Sequence, residues 1–139
     1  LDGEPFEIDG MQITPIWLNH PQGVTGYRIE RDGVVVVIAT DHESGDAEAD
    51  ARLVEAARGA NLLVHDAQYI DADYVEHEGW GHSTWQRAIE AAEAAGVERL
   101  LTVSHDIHRT DTELDAIVAK VQAERPWVDA ARSGLVVEL

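Results

Sequence analysis

The sequence contains several histidine and aspartate residues that come directly after short apolar runs. Four runs end in this way: residues 13–18 before His20, 34–39 before Asp41, 62–64 before His65 and Asp66, and 99–104 before His105 and Asp106. Such runs are typical of buried strands, and in α/β folds ligands bind in the crevice outside the carboxyl ends of the strands. Imidazole and carboxylate groups can bind divalent metals and transfer protons. The pattern therefore predicts a metal-dependent hydrolase whose site lies at one edge of a sheet.

Three of these residues, His20, Asp41 and His105, are the candidate metal ligands. The chain has no cysteine, so a bound metal must be held by histidine, aspartate or glutamate, which suits Zn, Mn or Fe. A single histidine after a strand is more often a hydrogen-bonded surface residue, but three such residues converging at one sheet edge favour a metal site. An alternative stays open, in which His105 and His108 chelate a metal alone, because residues three apart on a helix share a face.

A different role is predicted for His82, which directly precedes a helical pattern. Imidazole has a pKa suited to donating a proton to a leaving oxygen. A proton donor of this kind needs an acid to orient it, and Asp66, at the end of the preceding predicted strand, is placed to do so. The neighbouring Ser83 is expected to cap the helix.

The remaining histidines carry less information. His42 and His77 lie among acidic residues, and we predict that both are at the surface. The role of His65 is left open between orienting another group, satisfying the backbone at the strand end and binding a metal. Residues 71–81 form a polar and aromatic loop around Trp80, which we expect to be the mobile part of the site.

The elements that must position these residues follow from the apolar pattern and its turn signals. Strands are predicted at residues 4–18 (with a turn near 9–10), 27–30, 34–39, 62–64, 99–103 and 135–139, and helices at residues 47–58, 84–95 and 110–124. Gly33 closes a hairpin turn, Pro15 marks an edge strand or bulge, and Thr110 with Glu113 forms a capping box. Hairpins precede an alternation of strands and helices, so we predict one α/β domain with a mixed sheet flanked by helices.

The composition limits the partners that this chain can bind. Acidic residues outnumber basic ones by 27 to 10, and the formal net charge is −17. Because affinity for tRNA or duplex DNA depends on Lys and Arg side chains that neutralise phosphates, a long nucleic acid is not the expected substrate. The apolar runs are too short for a membrane helix, no leader pattern indicates export, and the lack of cysteine fits a cytoplasmic protein. The chain opens on Leu1 rather than methionine, so we expect it to be a piece of a longer protein.

Several short motifs together resemble those of the metallo-β-lactamase-fold hydrolases, in particular the ribonuclease Z and phosphodiesterase branch. The segment Leu62-Leu63-Val64-His65-Asp66-Ala67-Gln68 is similar to that branch's His-Glu-Ala-Thr motif, and Gly81-His82-Ser83-Thr84 is similar to its His-Ser-Thr motif. Residues 99–105 resemble the strand that delivers the last metal histidine, and Ala39-Thr40-Asp41 completes the set. Each motif is weak alone, whereas their common order and spacing are specific. The similarity extends over nearly the whole chain and implies half of an αββα metallo-β-lactamase sandwich.

The resemblance also implies a role for each candidate residue. His20 matches the ligand of a first metal, Asp41 the carboxylate that bridges both metals, and His105 the ligand of the second. His82 matches the histidine that protonates the leaving oxygen, with Asp66 in the position of its acid partner. Asp66 is one methylene shorter than the family's usual glutamate.

One part of the family's pattern does not occur in this chain. The His-x-His-x-Asp-His signature, which supplies most of the metal ligands, belongs to the N-terminal half of the domain. We therefore expect residues 1–139 to be the C-terminal half, inactive alone, with two divalent metals (Zn, or else Mn or Fe) completed by ligands from outside this chain. The missing half or a second copy should cover the exposed sheet face.

The activity that we predict is cleavage of a phosphodiester bond in a small substrate. Two alternatives stay open. The first is a hydrolase of the same fold that acts on a lactam, lactone or thioester. The second is a non-catalytic half-domain that serves as an interaction or regulatory module.

Overall fold

The computed structural model describes residues 3–139 and contains one mixed seven-stranded sheet with its helices. The strands are β1 (Phe6–Ile8), β2 (Met11–Leu18), β3 (Val24–Arg31), β4 (Val34–Ala39), β5 (Leu62–Asp66), β6 (Leu100–Val103) and β7 (Val128–Ala130). The helices are α1 (Ala47–Ala57), α2 (Asp71–Tyr74), α3 (Trp85–Ala95) and α4 (Asp111–Gln122). Spatial order follows sequence order, with β1 to β4 antiparallel and β4 to β7 parallel. The mixed α/β architecture predicted from the sequence is confirmed.

The antiparallel half is fixed by its turn residues. Asp32 and Gly33, between β3 and β4, have φ angles of 51° and 85°. Two central residues in the left-handed region match the right-handed twist of the flanking strands, which explains the tight hairpin. Strand β1 pairs only with residues 11–13 of β2. At Pro15, β2 is therefore an edge strand on that side, as proline requires.

The helices begin at capping residues, one of which differs from the prediction. Thr110 and Glu113 form the predicted capping box at the start of α4. The cap of α3 is Thr84, whose side chain accepts from the backbone of Arg87, and the expectation that Ser83 caps this helix is wrong. The Ser83 hydroxyl instead donates to a backbone carbonyl in another loop. Within residues 3–139, no helix combines the length and the apolar character that crossing a membrane requires.

The hydrophobic core lies between the helices and one face of the sheet. Leu53 of α1, Ile89 of α3 and Val118 of α4 share this core with Val37 and Leu63 of the central strands. The opposite face of the sheet carries alternate residues that are apolar and only half-buried: Ile29, Val36, Ile38, Val64, Leu101 and Val103. We call this set the open sheet face.

The C-terminal strand was predicted at the wrong place. Residues 135–139 are not in a strand, and Val136 is 80% exposed. The last strand is β7, which pairs in parallel with β6. Its three residues, Val128, Asp129 and Ala130, alternate between buried and half-buried but are too few to be recognised as a strand from the sequence, so pairing with β6 decides that this segment is a strand.

Candidate metal centre

Three segments that flank the central strands meet at one edge of the sheet. Asp41 lies just beyond β4 with a left-handed φ of 54°, Asp66 is the last residue of β5, and His82 lies two residues before the cap of α3. Strands β4 and β5 are parallel neighbours, so their carboxyl ends meet at the same edge. One possible ligand atom from each of these three side chains lies within 4.8 Å of the others. This is the position that α/β folds use for ligands.

His82 and Asp66 form the most tightly defined contact of the site. His82 Nδ1 lies 2.7 Å from Asp66 Oδ2, while Asp66 Oδ1 accepts from the backbone N–H groups of Ser83 at 2.8 Å and Gln68 at 3.3 Å. The Asp66 side chain is fully buried and that of His82 is 22% exposed. Burial raises the pKa of Asp66, and the hydrogen bonds from His82 and Ser83 oppose that rise. With Nδ1 directed at the carboxylate, His82 Nε2 is left to exchange a proton with a bound molecule.

Asp41 and His20 lie beside this pair. Asp41 Oδ1 is 4.0 Å from His82 Nδ1, beyond hydrogen-bonding distance, and the Asp41 side chain is 50% exposed. The ring centroids of His20 and His82 are 6.2 Å apart in an edge-to-face arrangement. Gly81 permits this approach, because a Cβ there would collide with the His20 ring, and its φ of 93° favours glycine. The structure therefore brings His20, Asp41, Asp66 and His82 to one place.

His105 follows β6 at the same edge of the sheet but is turned to other partners. Its Nε2 lies 3.1 Å from the Thr102 hydroxyl, and its ring stacks on Trp85 with centroids 5.6 Å apart. Burial lowers the pKa of His105, and the cation of Arg109 acts in the same direction. Residues 105–108 are not helical. The alternative in which His105 and His108 chelate a metal from one helix face is therefore wrong.

Two further histidines lie buried beneath the site. His42 and His65 are each 0% exposed, with ring centroids 5.5 Å apart. His42 accepts from the backbone of Asn19 and meets Asp50 of α1 at 3.1 Å, so its predicted surface position is wrong. Desolvation by burial lowers the pKa of both rings to about 4. These neutral rings are part of the packing that supports the neighbouring Asp66.

His77, the other histidine predicted at the surface, is only partly exposed. Its ring stacks on Tyr69 with centroids 4.5 Å apart, and its Nδ1 lies 2.7 Å from the carbonyl of Asp73. The edge of the Trp80 ring packs against His77, with centroids 4.8 Å apart. The loop between α2 and α3 is therefore built around an aromatic stack.

One buried acid was missed by reasoning from the sequence. Glu43 is 5% exposed and accepts hydrogen bonds from the loop that leads to His82. Its only signal in the sequence is its position two residues after Asp41, in a segment that reads as solvated and acidic.

The donor set at this edge suits a divalent metal. Both oxygens of Asp66 already accept N–H donors, whereas Asp41 has no hydrogen-bonding contact with His82 and can accept another partner. A carboxylate with nearby imidazoles and no thiolate fits Zn, Mn or Fe. Asp41 and His20 are the residues that would hold such an ion, and His82 with Asp66 would hold or release a proton next to it.

The sequence matches a known protein family over most of its length. Residues 1–105 match the β-lactamase superfamily domain. Ribonuclease Z of Myxococcus xanthus is 34% identical over an alignment of 139 residues that covers 99% of this chain and 41% of that protein. The chain spans less than half the length of the curated ribonuclease Z relatives that it matches.

Solved structures share the fold of this chain. YhfI from Bacillus subtilis, a metallo-β-lactamase fold protein, superposes with a TM-score of 0.79 at 22% identity, covering 99% of this chain and 54% of that one. The short form of human tRNase Z superposes with a TM-score of 0.68 at 21% identity, covering 96% of this chain and 45% of that one. The predicted fold, a part of a metallo-β-lactamase sandwich, is therefore confirmed.

Proposed function

Because this chain belongs to the β-lactamase superfamily and is similar to its ribonuclease Z branch, we propose that it is the C-terminal half of a dinuclear metal hydrolase that cleaves phosphodiester bonds. The observation that carries this proposal is the 2.7 Å contact of His82 with buried Asp66, next to Asp41. An alkoxide leaving a phosphodiester needs a proton, and an imidazole held by a carboxylate can supply it. Hydrolysis of a lactone or thioester has less need of this donor.

The proposed roles follow from the resemblance to the ribonuclease Z branch. Asp41 would bridge two metals, His20 would hold the first and His105 the second. When bound, the two metals supply an activated hydroxide and stabilise charge on the departing oxygen. To bind a metal, His105 would either give up the contact of its Nε2 with the Thr102 hydroxyl or bind through its other ring nitrogen. Three ligands are too few for two metals that each take about four, so the remaining ligands would come from outside residues 1–139.

The charge of the chain favours a small substrate. With a net charge of −17, the acidic surface repels a long polyanion much more than a single phosphodiester group. We therefore propose a small phosphodiester rather than a long RNA, although the relatives are named ribonuclease Z. The absence of cysteine is the reason for proposing a cytoplasmic location.

The open sheet face supports the proposal that the domain is incomplete. Alternate residues of β3 to β6 present a continuous apolar surface opposite the helices. Monomeric proteins rarely expose apolar patches larger than about 300–600 Å2. We propose that an N-terminal half with its own sheet, or otherwise a second copy of this chain, covers this face.

The experiment that tests the function uses the full-length protein, loaded with metal and measured for metal content. Its rates are determined with bis(p-nitrophenyl) phosphate, a cyclic nucleotide, a tRNA precursor and a chromogenic lactam. Turnover of the cyclic nucleotide with about two metals per chain, abolished by Asp41→Ala, is the expected result. Lys120→Gln, a charge change on the remote helix α4, is the matched control and should leave the rate unchanged.

Each other outcome removes a specific part of the proposal. Cleavage of the tRNA precursor alone would contradict the small substrate. Turnover of the lactam, with no turnover of any phosphodiester, would show that the protein is a hydrolase of the same fold with a different substrate class. If the full-length protein binds no metal, the remaining hypothesis is that it is a non-catalytic interaction module.

A further inference from the structure

We propose that Glu43 is a positioning residue, which holds the loop of residues 77–82 so that His82 meets Asp66. This inference rests on the proposed function, because it assigns the proton donor of that reaction to His82. Glu43 itself touches neither of these two side chains through its hydrogen bonds.

The carboxylate of Glu43 accepts three hydrogen bonds, two from the loop and one from Tyr74 at the end of α2. Its Oε1 accepts from the Tyr74 hydroxyl at 2.8 Å and from the backbone N–H of Gly79 at 2.5 Å. Its Oε2 accepts from the backbone N–H of Gly81 at 2.8 Å. The two backbone donors lie on either side of Trp80, and the second belongs to the residue directly before His82. With both oxygens occupied by N–H or O–H donors, Glu43 is not itself placed as a metal ligand.

The backbone of Glu43 is bound to a third segment. Its N–H donates to the carbonyl of Asn19 at 2.9 Å, and the Asn19 side chain returns a hydrogen bond to the Glu43 carbonyl at 2.9 Å. Glu43 therefore joins the segment that ends in His20, the segment that begins with Asp41 and the loop that ends in His82. One buried residue therefore links the three segments, to the Asn19 segment through its backbone and to the loop through its side chain.

Only a carboxylate meets all these donors. An amide at this position has one acceptor oxygen, so its NH2 group would face the N–H of either Gly79 or Gly81. Because the hydrogen bond of the Gly81 N–H is buried and that of the Gly79 N–H is partly buried, the loop would move to find other partners. Both glycines have left-handed φ angles, of 87° and 93°, which glycine adopts easily. Because neither residue has a side chain, neither can hold this conformation by its own packing. The conformation of residues 79–81 thus depends on the ionised acid from another loop.

The test compares Glu43→Gln with Glu78→Gln in the full-length, metal-loaded protein. Glu78 is an exposed acid of the loop that Glu43 binds, so the control removes one negative charge next to the same loop contacts. For a phosphodiester with an alkyl leaving group, we expect Glu43→Gln to lower kcat by about 10–100-fold, below the full contribution of a proton donor. For a nitrophenyl ester, which needs no proton, the loss should be small. Glu78→Gln should match the wild type with both substrates, and metal content should be equal in all three proteins.

A second measurement does not depend on activity. The proton on His82 Nδ1, bound to a buried carboxylate, should give a low-field NMR signal that His82→Ala removes and thereby assigns. We expect Glu43→Gln to weaken or abolish this signal and to speed hydrogen exchange at Gly79 and Gly81, and Glu78→Gln to change neither.

The outcomes separate this inference from the proposed function. If the wild-type protein cleaves no phosphodiester, the proposed function fails, and the NMR signal and amide exchange still decide whether Glu43 positions His82. An unchanged His82 signal in Glu43→Gln overturns the inference even in an active enzyme. Equal losses for both leaving groups, or a loss of metal, would also overturn it, because they would make Glu43 a general structural residue or a ligand.

Discussion

The hydrogen-bonding geometry of Asp66 predicts a large and substrate-selective effect of Asp66→Asn. Asp66 Oδ2 accepts from His82 Nδ1, while Oδ1 accepts from the backbone of Ser83 and Gln68. An asparagine has one acceptor oxygen and cannot serve both sides. If that oxygen stays with Ser83, the NH2 group faces His82 Nδ1 and forces the ring proton onto Nε2. If the amide is flipped, the N–H of Ser83 loses its partner in a buried position.

Both arrangements carry a cost whose size can be worked out. Leaving one buried N–H unpaired costs about 1–3 kcal/mol of the free energy of unfolding. If the hydrogen bond from Ser83 is kept instead, His82 faces an amide rather than the carboxylate that stabilises its doubly protonated ring. Most of the contribution of a general acid, about 10²–10⁴-fold in kcat, should then be lost. The loss should appear with an alkoxide leaving group and shrink with nitrophenolate.

The assay measures kcat for a series of phosphodiesters whose leaving groups differ in pKa, together with urea unfolding. Asp115→Asn, which changes an exposed acid on α4 that pairs with Arg132, is the matched control. Uniform losses across the series would refute the reasoning, because a positioning acid for a proton donor cannot affect substrates that need no proton. Wild-type rates in Asp66→Asn would refute it equally.

Three other predictions concern the same region. Asp41→Ala should lower metal content of the full-length protein as well as kcat, because it removes a carboxylate that is open to a metal, whereas a loss of kcat with full metal occupancy would contradict the ligand role. Gly81→Ala should displace the His20 ring and, through its left-handed φ, lower the free energy of unfolding by about 1–3 kcal/mol. Both effects can be measured, the first as weaker metal affinity and the second as easier urea unfolding. Wild-type values for both would contradict the close contact. His65, whose pKa is lowered by burial from 6.5 to about 4, should make the protein less stable in acid. Above the unfolded pKa the ring is neutral in both states, and between the two pKa values only the unfolded chain takes up a proton. His65 alone should therefore lower the free energy of unfolding by about 2 kcal/mol by about pH 5, and buried His42, whose pKa is also about 4, should add a similar loss. Urea unfolding at several pH values measures this loss, and a flat profile would contradict the buried neutral rings.

Much of the fold could be predicted because local signals agree with tertiary packing. The turn at Gly33 and the capping box at Thr110 are decided by residues within a few positions of each other, and both were predicted correctly. The failures occurred where a distant partner decides. Strand β7 exists because β6 offers an edge, and the Ser83 hydroxyl leaves the helix cap for the His42 carbonyl, 41 positions away in the sequence.

The candidate site could be predicted in part for the same reason. Asp41, Asp66 and His82 stand at element ends, and the parallel pairing of β4 with β5 brings such ends together. The shorter acid at Asp66 still reaches His82 at 2.7 Å, so the missing methylene does not prevent the contact. Glu43 and His42 were missed because their burial depends on the loop of residues 74–81 and on α1, neither of which can be placed against them from the sequence.

Two independent features support the proposal that part of the domain lies outside residues 1–139. The open sheet face is apolar over four neighbouring strands, which favours a second layer that covers it. The edge of the same sheet carries a carboxylate and imidazoles that are too few for two metals. A second sheet packed on that face would bring its own strand ends to this edge, where they could supply the remaining ligands. A second copy of the chain would cover the apolar face but would bring no His-x-His motif, so measuring metal content with and without the rest of the protein distinguishes the two solutions.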